Sequence, residues 1–141
     1  MRYELTEDLI TGNTLIDSEH KQLFDAINAL LDACASGKGR DQIMRTVDFL
    51  NGYVGRHFSD EERLQVTSKY PNYPSHKTFH DGYKRQLQQT TQELLADGAT
   101  VKSLGKLNQV AGVLLSHIRT GDRKVAKHLK GAEGTHVCIS G

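Results

Sequence analysis

Between Ile43 and Leu64 the chain carries Ile43, Val47, Leu50, Val54, His57, Glu61 and Leu64, stepping by four, three, four, three, four and three residues. That alternation tracks the turn of an α-helix and lays one continuous stripe along it, which other helices must cover. A strand would need alternation at period two, and the chain has no sustained run of that kind. His57 and Glu61 occupy places where the preceding turns carry Val and Leu, so two polar groups are sent into an apolar interior. Such groups raise the free energy of the fold unless something inside compensates them.

Three further segments show a stripe of the same kind. Upstream, Asp17 or Ser18 is placed to cap a helix bearing His20, Leu23, Phe24, Ile27, Leu30 and Leu31, which ends near Ser36-Gly37-Lys38-Gly39. Downstream, Pro71-Asn72-Tyr73-Pro74 makes a turn, and Pro74 suits the first turn of a third helix whose stripe runs His76, His80, Tyr83, Leu87, Thr90 and Leu94. Asp97-Gly98 closes that helix, and Thr100 caps a fourth with the face Leu104, Leu107, Val110, Ala111, Leu114, His117 and Ile118.

A chain of 141 residues supports one such core and not two. The prediction is therefore a single all-α domain over 1–141: an N-terminal arm (1–16), an up-down-up-down four-helix bundle (17–130) with a short C-terminal helix or tail, and a mobile stretch over 131–141. Antiparallel neighbours bring the starts of the first and third helices to the ends of the second and fourth. His20, His57, Glu61, His76, His80 and His117 then share one end of the bundle.

Charge excludes several partners. Eighteen Lys and Arg stand against seventeen Asp and Glu, for a net charge of +1, so no strong field exists to hold nucleic acid or an anionic membrane. No apolar run approaches the ~20 residues of a membrane span, and the opening residues lack a secretory apolar core, which predicts a cytoplasmic protein. Cys34 and Cys138 form no CxxC spacing, in keeping with a reducing compartment.

A His and a carboxylate four residues apart, as in His57/Glu61, or two His four apart, as in His76/His80, project from one helix face and can grip one ion. Each pair alone is a weak signal. Together, about six polar groups meeting in an apolar bundle would have only one another for partners, and unpaired buried charge costs several kcal/mol per ion. Two divalent cations, nearly neutralised by two carboxylates and a hydroxide, remove that difficulty.

Ile16-Asp17-Ser18-Glu19-His20, then His57-Phe58-Ser59-Asp60-Glu61-Glu62, then Tyr70-Pro71 with His76 and His80, then His117-Ile118 ending at Asp122, resemble the ordered motifs of hemerythrins and bacteriohemerythrins. The resemblance covers roughly residues 10 to 130. It implies two iron ions (Fe2+/Fe3+) bridged by oxo or hydroxo and by Glu61 and Asp122, with His76, His80 and His117 on one iron and His20 and His57 on the other. It also implies a ligand pocket walled by apolar neighbours of these residues: Leu23, Phe58, Val113, Leu114 and Ile118.

Asp122 is not a ligand that helical period would select, because five residues beyond His117 is a rotation of about 140° on a regular helix. An end or π-type irregularity at Thr120-Gly121 is predicted, with Gly121 permitting the unusual backbone. The implied function is reversible dioxygen binding, as a carrier, store or supplier and not an enzyme. The alternatives are a peroxide, oxygen or nitric oxide reductase using the same site, with an electron-donor protein as candidate partner, and an oxygen or redox sensor. Oligomeric state is left open.

The chain departs from the family in having no Trp. Val113 stands one turn before His117 where many members carry an indole, and Tyr3 stands in the arm where Trp is common. A roomier, wetter pocket and faster autoxidation are the expected consequences. His128 is expected on a short final helix with the solvated basic residues Lys124, Lys127 and Lys130, and His136 and Cys138 in a tail without a metal role.

Overall fold

The computed structural model describes the backbone of residues 3–140 and the side chains of residues 3–131. Five α-helices follow in order: α1 (Thr14–Ala35), α2 (Arg40–Thr67), α3 (Tyr73–Asp97), α4 (Val101–His117) and α5 (Arg123–Ser140), with a π-helical segment, Ile118–Asp122, joining the last two. A single 3-10 turn, Glu7–Leu9, lies in the arm, and no strand occurs among the described residues. Helices α1 to α4 pack each on the next as an all-α four-helix bundle, and α5 lies against the π segment and α2.

The predicted stripes are the buried faces. Val47, Leu50, Val54, His57 and Glu61 of α2 are buried, with Ile43 and Leu64 half-buried at its ends, and all six stripe residues of α3 are buried. Full burial of a Leu or Phe contributes roughly 1.5–3 kcal/mol relative to exposure. Leu23, Phe24, Leu30, Leu50, Phe58 and Leu114, all wholly or almost wholly buried, therefore form an apolar body able to carry a costly polar cluster.

The cap of α4 is as expected. Thr100 Oγ1 accepts from the Ser103 amide at 3.0 Å while Ser103 Oγ accepts from the Thr100 amide at 2.9 Å, a reciprocal capping box. The start of α1 differs from the sequence expectation. The helix begins at Thr14, capped by Asn13, whose Oδ1 accepts from the Ile16 amide at 3.0 Å. Asp17 instead reaches back from inside the helix, accepting from the Thr11 amide (2.9 Å), the Thr11 hydroxyl (2.7 Å) and the Gly12 amide (3.1 Å). Its short carboxylate satisfies the arm and not the helix end, and Ser18 is exposed on the helix surface.

The arm is stitched to the bundle through Tyr3. Its amide donates to Asn28 Oδ1 and its carbonyl accepts from Asn28 Nδ2, both at 2.8 Å, and its hydroxyl donates to Asn108 Oδ1 at 2.7 Å. One aromatic ring thereby links α1 to α4. At the other end, Ile16, Val125, Ala126 and Leu129 make a second apolar cluster with Leu64 and Tyr70, which seats α5 on α1 and α2. Lys124, Lys127 and Lys130 are exposed as expected, but His128 is half-buried and donates from Nε2 to the Ser68 carbonyl at 2.9 Å. His136, Cys138 and most of the stretch expected to be mobile lie outside the residues with described side chains. No described helix is long and apolar enough to cross a membrane.

Candidate metal centre

The end of the bundle where α1 and α3 start and α2 and α4 finish gathers all seven side chains singled out from the sequence. His20 comes from α1, His57 and Glu61 from α2, His76 and His80 from α3, His117 from the last residue of α4 and Asp122 from the end of the π segment. His20, His57, His80 and Asp122 are wholly buried at 0 % exposure, Glu61 and His76 are nearly so, and His117 is half-buried.

The separations are short. His20 Nε2 lies 2.9 Å from Asp122 Oδ2, and His57 Nε2 lies 3.4 Å from Glu61 Oε2. His76 Nε2 lies 2.6 Å from Glu61 Oε1 and 3.2 Å from Asp122 Oδ1. His80 Nε2 is 3.6 Å from Glu61 Oε1, and His117 Nε2 is 3.0 Å from Asp122 Oδ1. Two groups able to hold a cation result, each with ligand atoms within 4.8 Å of one another: Glu61, His76, His80, His117 and Asp122, and His20, His57, Glu61 and Asp122. Glu61 and Asp122 belong to both.

Hydrogen bonding accounts for only part of this cluster, chiefly through His76 Nε2 and Glu61 Oε1. His20 Nε2, His57 Nε2, His80 Nε2, Glu61 Oε2 and both Asp122 oxygens are buried without a hydrogen-bond partner. Near approach without hydrogen-bond alignment is what lone pairs aimed at a third atom produce. Buried polar atoms left in that state cost about 1–3 kcal/mol each, more when charged, and a nitrogen-and-oxygen donor set of this kind suits a transition-metal cation.

The π segment brings Asp122 in. On a regular helix it would face well away from His117; the wider turn over Ile118–Asp122 returns its carboxylate to the cluster. The irregularity is where the sequence placed it, but Gly121 serves a different purpose from the one expected. Its φ is not positive. A Cβ there would stand 2.7 Å from His117 Cε1 and 2.9 Å from Nδ1, so glycine is required for the space the imidazole occupies.

Two carboxylates that the sequence did not single out orient the histidines. His57 Nδ1 donates to Glu19 Oε1 and His80 Nδ1 donates to Glu62 Oε2, both at 2.9 Å. Holding the proton on Nδ1 leaves the Nε2 lone pair facing the cluster. Glu19 and Glu62 adjoin His20 and Glu61 in sequence, and this adjacency is the signal that could have found them. Gln65, also unanticipated, is wholly buried with Nε2 3.4 Å from Glu61 Oε1.

Two rings hold two imidazoles flat. Phe58 stacks on His80 with centroids 3.8 Å apart and planes 2° from parallel, and Phe79 stacks on His117 at 3.8 Å and 11°. Phe79 was missed because it lies off the α3 stripe and is only half-buried. Of the other expected wall residues, Leu23, Leu114 and Ile118 are buried and Val113 is half-buried against the main core.

The cluster's electrostatics are those of a proton-sharing network. Burial depresses the His76 imidazole, but the adjacent Asp122 carboxylate, the hydrogen-bonded Glu61 and their charges prevail and lift it to about 9. His57 is likewise depressed by burial yet ends above its ordinary value because of Glu19, Glu61 and Asp122. Burial pushes the Asp122 carboxyl up, and the closely approaching imidazoles of His117, His20 and His76 carry it far below the usual range. In the metal-free protein His57 and His76 therefore favour the protonated form beside these carboxylates, and a cation entering the cluster displaces protons.

Comparison with known proteins places this geometry. Residues 11–129 match the family model described as the hemerythrin HHE cation binding domain. The bacteriohemerythrin of Pseudomonas aeruginosa is 31 % identical over 116 residues, covering 82 % of this chain and 74 % of that protein. The bacteriohemerythrin of Methylococcus capsulatus is 38 % identical over 65 residues, which span 46 % of this chain and 49 % of that protein. The myohemerythrin of Sipunculus nudus is 28 % identical over 110 residues, 78 % of this chain and 79 % of that protein. Because the matched span contains α1 to α4 and every side chain of the cluster, the chain belongs to the hemerythrin family of cation-binding domains.

Proposed function

We propose that this chain holds a pair of non-haem iron ions and binds dioxygen reversibly, as a carrier, store or supplier. His76, His80 and His117 would hold one ion and His20 and His57 the other, with Glu61 and Asp122 available to both. When bound, such a pair would supply two reducing electrons to a small oxidant. The observation that carries the proposal is a set of six buried donor atoms without hydrogen-bond partners, in two groups that share the same two carboxylates.

The chain's own residues divide the work. The His20–His57 group contains four residues where the other contains five, so room for an external ligand falls on its side. Glu19 and Glu62 keep Nδ1 protonated and fix the imidazoles. Leu23, Phe58, Leu114 and Ile118 exclude water and with it the protons that would discharge a bound oxidant. Residues 1–141 act as one domain, since the arm and α5 both pack on the bundle that builds the site. A buried free thiol at Cys34 accords with a cytoplasmic setting.

Metal analysis with visible spectra of the reduced protein, before and after exposure to oxygen, tests this. About two irons per chain and an absorption band that appears with oxygen and disappears on its removal are expected. Stable binding of another metal, or no band, would reject it. One observation favours a reductase alternative: Val113, one turn before His117, is small and only half-buried, which leaves that edge easier for small oxidants to reach. Sustained peroxide, oxygen or nitric oxide consumption with a supplied electron donor would decide for it.

A further inference from the structure

A second site lies outside the cluster, where the arm meets α5. Thr11, Gly12, Asn13, Arg123, Lys124, Ala126, Lys127 and Lys130 line a cleft of about 490 Å³, within the size range of small-molecule sites. Among the described residues its wall carries four cations and no carboxylate. In a chain whose net charge is only +1, that is a marked local concentration.

These cations are uncommitted. Among the described residues Lys124, Lys127 and Lys130 have no ion-pair partner, and Arg123 donates only to the Asp8 carbonyl, at 3.3 Å. Asp8 itself is occupied by Arg119 at 2.9 Å. The neighbouring carboxylate, Asp17, is turned to the arm, where it accepts from both Thr11 donors and the Gly12 amide. The cations are displayed on a rigid base, because Ala126 is buried in the floor and Val125 packs in the cluster with Ile16.

Spacing selects the ligand. Lys124, Lys127 and Lys130 step along one face of α5 by about 4.5 Å each at the helical rise, so the row spans about 9 Å. A lone phosphate can meet one step of that row; two phosphates carried on a small organic frame can meet both. We propose that the cleft binds a small organic bisphosphate between the arm and α5. Arg123 directly follows Asp122, so such a ligand would clamp the element that leaves the metal centre.

Calorimetric titration of the iron-loaded full chain with fructose 1,6-bisphosphate, and separately with inorganic phosphate, tests the proposal. Saturable one-to-one binding of the bisphosphate is expected, tighter than phosphate and weakened at least about tenfold by Lys124→Glu with Lys127→Glu. The control pair Lys38→Glu with Lys102→Glu makes the same change in net charge at exposed positions elsewhere and should leave the affinity within about twofold. Equal weakening by the control pair, equal affinity for phosphate, or no saturable binding at millimolar bisphosphate would each overturn it. Should the double variant lose helicity, Lys127→Gln alone carries the same expectation of weaker binding.

Discussion

Gly121 lies against the face of the His117 imidazole so closely that a Cβ at that position would stand 2.7 Å from His117 Cε1. The ring is held from its other neighbours too, stacked on Phe79 at 3.8 Å. In the metal-free protein an imidazole can swing aside to admit a methyl group; once tied to a cation it cannot. Gly121→Ala is therefore expected to destabilise the metal-loaded protein by about 1–3 kcal/mol, while the metal-free protein loses less. Melting of both forms, with iron content per chain, checks this: equal losses in the two forms would show that the glycine does not make room for a bound His117.

Glu19 presents an acceptor to His57 Nδ1 from a different helix. Its removal frees the ring to rotate and to take the other tautomer, and loss of such a partner typically costs 10–100-fold in metal affinity. Glu19→Ala should weaken iron binding by about that range in competition with a chelator, whereas Glu19→Gln, which keeps an acceptor, should lose much less. Equal behaviour of the two variants would count against an orienting role.

Metal-free protein should lose stability as the solution becomes alkaline. His76 is raised from its ordinary 6.5 to about 9, so its protonated form is favoured by folding. That contribution is complete below pH 6.5 and disappears as pH climbs through about 9. Iron uptake runs the other way, since the ion must displace the same proton, and should strengthen over this interval. Denaturant titrations of the metal-free chain at pH 6 to 10, compared with a His76→Gln variant, supply the check; a flat profile in both would refute the assignment.

Val113 sits half-buried one turn before His117. If its small side chain leaves the site open to water, Val113→Trp should lengthen the lifetime of the oxygenated protein. Stopped-flow decay at a single wavelength measures it, and equal lifetimes in the two proteins would remove the idea that this position governs water access.

Much of the site was legible because ligand spacing and helix spacing are the same. His57 and Glu61, like His76 and His80, are one turn apart, and interrupted apolar stripes mark them as inward-facing. Asp122 could be reached only through family resemblance, since its position contradicts the helical period that the other six obey. The start of α1 went unread because Asn13, Asp17 and Ser18 are all competent caps. Which one serves depends on the arm that Asp17 binds.

The chain by itself determined four amphipathic helices, their antiparallel succession through short loops, and the gathering of six donors at one end. Periodicity carries that information because it reports which face of each helix must leave water. Only the tertiary structure decided which atoms meet: that Glu19 and Glu62 hold Nδ1 of His57 and His80, that Phe58 and Phe79 press on His80 and His117, and that Gly121 yields its space to an imidazole. A stripe leaves free the register at which one helix settles against another, and that register sets every contact between them.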